Sequence, residues 1–426
     1  MTRLKIILFT LLIAHLTNAQ KYVLDSVKPL YPFVNWDNNQ LLYAKESPAF
    51  QKLYHKLDTI AHNGIEKVHM FHIGGSHIQA DIYSNKLRSY FQNMSQTSKG
   101  QRGLIFPFKM AHTNNPKNYK VTFTGAWEGH RCSVVKDSVA MGLTGISASF
   151  TGDTAQVKIW ANYHNYKEHM YRFNKLRVFY NDWEENYEVQ LPDSVPIQYI
   201  HDNKNKHYIE FGLRDEVESM NFNIQKIDSL NQHPFLMMGL ELMNDRPGIE
   251  YTTIGVNGAS FKFYNRSAFF KEQLLMYQPD LFIISIGTND TYTKNFNVER
   301  FKNYYEKMML EVLESNPEAA ILLTVPNDSY YKRKYANPNT KKAQQVIHQL
   351  AQQYKMAVWD FYDIMGGYGA SQKWYLNKLM PKDRIHFTKK GYSIKADLML
   401  EAITKSWETS LDLNPKSILN QIVHHE

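Results

Sequence analysis

The stretch V-H-M-F-H-I-G-G-S-H-I-Q-A-D, residues 68–81, decides how the rest of the chain is read. Residues 68–73 form an apolar run of strand length, Gly74 and Gly75 break it, and an amphipathic pattern begins at Ile78. That order spells strand, tight turn and helix, with Ser76 at the turn. In an open α/β sheet, ligands sit outside the carboxyl ends of the strands, where the following helix aims its first N–H groups at negative charge. Ser76 is therefore a candidate nucleophile, although serine at such a position also serves as a plain helix cap.

Working outward, Phe50, Leu53, Leu57 and Ile60 share one face of a helix predicted over residues 48–61. After Ser76 the pattern predicts a helix to about residue 94, with Ile78, Ile82, Leu87 and Phe91 inward. Between residues 100 and 244 helical periodicity is scarce, and short β-type runs occupy 120–124, 145–150, 156–161, 176–180, 187–191, 207–211 and 220–224. Their regular spacing predicts an inserted β-sandwich or jelly-roll-like domain. Beyond it the α/β rhythm returns, with strands over 251–256, 281–286, 320–325 and 356–361 and helices over 266–277, 298–315, 341–354 and 389–408. With residues 68–73 this makes a doubly wound, five-stranded parallel sheet in a three-layer sandwich. Residues 20–99 and 245–426 form its two parts, and 100–244 the insertion.

Arg3 and Lys5, an apolar run over 6–16 and the small-residue end Thr17-Asn18-Ala19 read as a cleaved secretory signal over residues 1–19. The run is too short to span a bilayer comfortably and no second one follows, so the mature chain is expected to be periplasmic or secreted, with no transmembrane segment. Loss of Arg3 and Lys5 lowers 49 basic residues to 47, against 41 acidic ones. That mild excess suits an anionic polymer or surface, and nothing in it calls for nucleic acid. Cys132 is the only cysteine, which excludes an internal disulfide and a cysteine zinc site. His72, His77 and His130 lack carboxylate–histidine metal spacing, so packed or solvated histidines are expected and neither a metal nor another cofactor. The insertion carries Trp127, Trp160, Tyr163, Tyr166 and Trp183, which can stack on sugar rings or fill a core. Arg102-Gly103 and residues 112–116 are candidates to line a cleft entrance.

Three further stretches end strands or flank the last helix. Gly258 in I-G-V-N-G-A-S, residues 254–260, can bring its N–H close to a ligand. Asn289 in S-I-G-T-N-D, residues 285–290, can aim an amide into the same cleft. Asp383, three residues before His386, can reach the Nδ1–H of the imidazole and leave Nε2 as a base, with Thr388 capping the last helix. Acyl transfer needs a nucleophile, a base, an orienting carboxylate and oxyanion donors. Ser76, His386 and Asp383 supply the first three; the N–H groups of Ser76 and Gly258, with the Asn289 amide, supply the donors.

These blocks resemble the SGNH, or GDSL-type, hydrolases. Gly-Gly-Ser76-His77 is similar to that family's block one, Asn257-Gly258-Ala-Ser to block two, Gly287-Thr-Asn289-Asp to block three and Asp383-Arg-Ile-His386 to block five. Gly75 departs from the pattern, since the family usually has Asp before the nucleophile. The resemblance spans residues 65–95 and 250–405. Within the family, Ser76-His77 and a β-rich insertion after block one look like the peptidoglycan O-acetylesterase branch. That implies a serine-type carbohydrate O-acetylesterase on an O-acetylated glycan, with an insertion resembling a carbohydrate-binding module. The alternatives are an acetylesterase on plant or capsular polysaccharide, an O-acetyltransferase, and an inactive carbohydrate-binding protein, which Gly75 favours and the intact Ser76, Asn289, Asp383 and His386 oppose.

Overall fold

The computed structural model describes residues 23–95, 100–163, 171–181 and 185–424. The expected leader, residues 1–19, lies outside the described residues, as do Tyr166 and Trp183. Six strands build the central sheet: β1 (Leu41–Leu42), β2 (Lys67–Gly74), β3 (Gly248–Gly255), β4 (Leu281–Ser285), β5 (Ala320–Thr324) and β6 (Ala357–Trp359). They lie in the order β1-β6-β5-β4-β2-β3, all parallel except β1, which pairs antiparallel with β6. The expected count of five strands is thus one short. A two-residue pairing has no periodicity for a sequence to display, and Leu41-Leu42 is defined only by the β6 edge it covers.

Successive side chains of a strand point to opposite faces, and β2 shows the consequence. Val68 and Met70 are buried with residues of helices α1 (Pro48–Asn63), α3 (Tyr83–Gln92) and α6 (Lys389–Ser410). Phe71 and Ile73 are buried on the other side with α4 (Val298–Ser315) and α5 (Asn339–Tyr354). Both faces being covered, β4 (L-F-I-I-S) and β5 (A-I-L-L-T) read as continuous apolar runs. The α1 helix stops at Gly64, whose φ of 67° supplies the left-handed cap.

The helix expected over 76–94 is two: α2 (Ser76–Gln79) and α3, with Asp81 between them at φ 45°. Ser84, Arg88 and Asn118 converge on the Asp81 carboxylate, a tertiary demand that the apolar pattern does not show. The helix expected over 266–277 is likewise replaced by Phe261–Tyr264 and Phe270–Leu274.

The chain leaves β2 for β3 on one side and returns to β4 on the other, which opens a crevice at the carboxyl end of β2. Register makes this a common edge, because Gly74 pairs with both Gly255 and Ser285. Between β2 and β3 come two antiparallel sheets of seven and four strands. Each of the seven expected β runs overlaps one of their strands, and Gly103–Ile105, Trp127–Arg131, Ile197–Asn203 and Phe235–Met243 were not expected. Phe235–Met243 is buried almost throughout and rich in Met, so it shows no alternation. Tyr187 of the smaller sheet meets Phe150 and Phe235 of the larger, which places the two sheets face to face. Their apolar core runs without a break into that around Phe71, Ile73 and Phe282. Among the described residues no helix is long and apolar enough to cross a membrane.

Candidate active site

Ser76 opens α2, straight after the strand end, because Gly74 and Gly255 let the backbone fold back on itself. A Cβ at Gly74 would lie 2.3 Å from Ile78 Cγ1, and one at Gly255 2.2 Å from the Gln79 nitrogen. With both absent, α2 rests on the ends of β2 and β3 and presents Ser76 at their rim. Ser76 Oγ donates to His386 Nε2 at 2.9 Å, and His386 Nδ1 donates to Asp383 Oδ2 at 2.8 Å.

The loop holding Asp383 and His386 is fixed by its own backbone. Asp383 Oδ1 accepts from the N–H groups of Ile385 and His386 at 2.9 and 3.1 Å. Partial burial alone would raise the Asp383 carboxyl, but the hydrogen bonds from the His386 ring and these two N–H groups outweigh it and hold it at about 2. It is therefore a carboxylate at neutral pH and fixes the tautomer that leaves Nε2 as the acceptor. Thr388 Oγ1 accepts from the Gly391 N–H at 3.2 Å and caps α6, as expected. The His386 side chain is 41% exposed, so the ring faces solvent on one side.

Gly258 sits at φ 80°, left-handed, in the turn that follows β3. Among the described residues, neither its N–H nor that of Ser76 has a hydrogen-bond acceptor. Asn289 Nδ2 donates one hydrogen to Ala259 O at 2.9 Å, and an amide nitrogen carries two. A Cβ at Gly75 would lie 3.3 Å from that nitrogen, which places the Asn289 amide against the residue before Ser76. Here the departure at Gly75 has a structural correlate: the missing side chain leaves Asn289 its room. Behind it, Asp290 accepts from the Phe261 N–H at 3.2 Å; burial pushes its carboxyl up to about 7.

Sequence reasoning missed several supports. Gln79 Oε1 accepts from the Asn257 N–H at 2.7 Å while its Nε2 donates to Asn114 O at 2.9 Å, so one amide ties the Ser76 helix to the Gly258 turn and to the insertion. Asp81 and Arg88 are both buried, 3.1 Å apart, with Asn118 of the insertion 2.6 Å from the same carboxylate. Burial would raise Asp81, but Arg88 outweighs it and keeps the carboxylate ionised. An arginine one position from Leu87 on the apolar face of α3 was the available signal. His77 is buried with its ring 5.2 Å from that of His386 and its Nδ1 2.9 Å from the Tyr392 hydroxyl. Burial, then the charge of Lys395, holds it neutral. Lys395 is itself buried among Tyr83, Phe361 and Phe387, and that burial lowers it to about 7.

Other candidates go elsewhere. His72 bonds Ser285 and Tyr251, and His130 bonds Ser149. Trp127 is buried and stacks at 5.0 Å on Phe150 of the neighbouring strand, whereas Trp160 lies partly exposed under Lys120 and Lys158. Arg102 is buried between Tyr119 and Tyr171, not at a cleft entrance, while Thr113 and Asn114 do reach Gln79 and Asn257. A cleft of about 670 Å³ on the insertion, lined by Tyr180, Glu188, Ile200 and His207 among others, includes none of the Ser76 constellation.

Residues 233–394 match the GDSL-like Lipase/Acylhydrolase family. The chain is an ester hydrolase. In this hydrolase the match takes in Gly258, Asn289, Asp383 and His386, while Ser76 lies ahead of it on the far side of the insertion. A solved peptidoglycan O-acetylesterase is similar at 20% identity, covering 87% of this chain and 99% of that chain with a TM-score of 0.66. That coverage shows a shared fold that extends beyond the α/β strands into the insertion. An acetyl xylan esterase matches at 19% identity over 36% of this chain and 79% of that one, with a TM-score of 0.29. A family two carbohydrate esterase from Cellvibrio japonicus matches at 12% over 69% and 99%, with a TM-score of 0.27, and at such scores neither bears on the argument. Comparison with curated proteins gives no match.

Proposed function

We propose that this hydrolase removes O-acetyl groups from a glycan, peptidoglycan first, with Ser76 as nucleophile, His386 as base and acid, and Asp383 as the group that orients it. The observation that carries the reading is the unbroken relay from Ser76 Oγ through His386 to Asp383, at 2.9 and 2.8 Å, on an open rim. Ser76 Oγ attacks the acetyl carbonyl carbon as its proton passes to Nε2. The N–H groups of Ser76 and Gly258 and the second hydrogen of Asn289 Nδ2 hold the oxyanion. The bond to the sugar oxygen breaks, and that oxygen takes the proton from His386. Water then attacks acetyl-Ser76, His386 takes a proton from it, acetate leaves, and the proton returns to Oγ.

The exposed base suits an acetyl group carried on a polymer, and the fold shared with a peptidoglycan O-acetylesterase supports the choice of glycan. We read residues 20–99 and 245–426 as the doubly wound SGNH unit, 100–244 as a sandwich module set into it, and 1–19 as an export signal. Acetate release from O-acetylated peptidoglycan should fall by about 10⁴-fold or more in Ser76→Ala, as it does when a triad member is lost. Equal rates for the two proteins would remove the mechanism, and an N-terminus at Met1 on the exported protein would remove the signal.

A further inference from the structure

Beside the relay stands a hairpin that the proposed chemistry does not use. Residues 330–335 read Y-Y-K-R-K-Y; Tyr330–Tyr331 pairs with Tyr335–Ala336, and Lys332, Arg333 and Lys334 form the turn. Lys332 and Arg333 take φ of 50° and 61°, both left-handed. Hairpin turns of this hand prefer Asn-Gly, because a Cβ is strained there. Side-chain burial does not offset the strain, since Lys332, Arg333, Lys334 and Tyr335 are exposed. Among the described residues none of the three cations forms an ion pair.

The hairpin is clamped between the two loops of the rim. On one side the Tyr330 N–H donates to Arg384 O at 3.1 Å, and Arg384 Nη2 donates to Arg333 O at 2.7 Å. The Arg384 guanidinium also covers the Tyr330 ring at 4.0 Å, two residues from His386. On the other side the Lys332 N–H donates to the Tyr292 hydroxyl at 2.8 Å, with the Tyr292 and Tyr331 rings 4.9 Å apart, three residues from Asn289. A strained turn at a rim, whose three cations form no ion pair among the described residues and whose Lys332 Nζ lies 5.7 Å over the Tyr331 ring, is a feature that points to a ligand.

We infer that the 330–335 hairpin is the site that selects an anionic glycan, its Lys332 and Arg333 pairing with carboxylates on the polymer and the 48% exposed Tyr335 ring lying against a sugar face. The inference rests on the esterase reading above and names its substrate class: an acetylated polymer that carries carboxylates close to the ester. Arginine and lysine meet carboxylates through charge-assisted hydrogen bonds, and tyrosine offers an aromatic face with a polar tip.

Lys332→Asn with Arg333→Gly removes two charges while giving the turn the residues it prefers, so folding is favoured and the melting temperature should rise. The readout is the ratio of kcat/KM on a carboxylate-bearing substrate, O-acetylated peptidoglycan or acetylated homogalacturonan, to kcat/KM on neutral acetylated glucomannan. At 50 mM salt this ratio should fall at least tenfold in the double variant, through KM, and the gap should close at 0.5 M salt as exposed charges are screened. Lys332→Gln/Arg333→Gln/Lys334→Gln, which keeps Cβ atoms throughout, should shift the ratio in the same direction. An unchanged ratio, or a parent enzyme that prefers the neutral polymer, overturns the assignment. Comparing the two carboxylated polymers shows which one supplies the anion. Acetate release that still depends on Ser76 alongside an unchanged ratio sinks the hairpin's role alone; release that does not depend on Ser76 sinks the esterase reading, and this inference with it.

Discussion

The rim around Ser76 and the joint beneath it, where the insertion meets α2 and α3, are built from similar residues to opposite ends. At the rim, polar groups keep capacity in reserve: the N–H groups of Ser76 and Gly258 and one hydrogen of Asn289 Nδ2 have no acceptor among the described residues. At the joint it is spent. Asp81 receives Arg88, Ser84 and Asn118, and Arg88 also reaches Tyr251 O and Thr253. The two imidazoles lie 5.2 Å apart in different settings: His386 is held between a hydroxyl and a carboxylate, while His77 is buried and neutral. A site that stabilises a passing charge has to leave donors unmet, whereas a buried support that leaves them unmet loses stability.

The sharpest way to break this contrast is Asp81→Asn, which tolerates the left-handed backbone but leaves Arg88 buried without its counter-charge. Urea unfolding should show a loss on the order of 3–5 kcal/mol, with the folded fraction still active. Unchanged stability would mean that the joint does not hold the insertion. Asn289→Ala tests the other side and should cost about 10²-fold in kcat with little change in KM or melting temperature. A loss confined to KM would make Asn289 a substrate contact and not an oxyanion donor.

Asp290 lies behind Asn289 against the Phe261 N–H, and its effect shows in the pH dependence of stability. Burial lifts it from 3.8 to about 7. The folded chain therefore keeps this proton up to about pH 7, while the unfolded chain releases it near pH 4. Its contribution to stability is complete below pH 4 and is lost as pH rises through 7. Asp290→Asn should flatten that decline in urea midpoints taken from pH 4 to 8, and an identical slope in both proteins would show that the carboxyl titrates normally. The smallest change is Gly75→Ala. Its Cβ would sit 3.3 Å from Asn289 Nδ2, and a shift of a few tenths of an ångström should lower kcat a few-fold. A rate equal to that of the parent would mean that Asn289 has slack to spare.

Much of the rim was legible because it is local. Gly74-Gly75-Ser76 ends an apolar run, Asp383 and His386 lie three residues apart, and Thr388 caps the helix that follows; each is a short-range pattern with its own physics. The joint was not legible. Gln79 reaches Asn114 and Asn257, 35 and 178 residues away, and Asp81 meets Asn118 across the start of the insertion. Trp127 read as a possible sugar platform and is core, a matter decided by which face of its strand the partner sheet covers.

The chain's own order of residues settles the alternation of strands and helices, the turn that lifts Ser76 and the pairing of Asp383 with His386, because backbone preference and near-neighbour hydrogen bonds act over a few residues. The meeting of Ser76 with His386, 310 positions apart, and the left-handed basic turn beside them come from the third dimension alone. Strand order and register bring the ends of β2, β3 and β4 to one edge, and only packing of the whole sheet can choose that order.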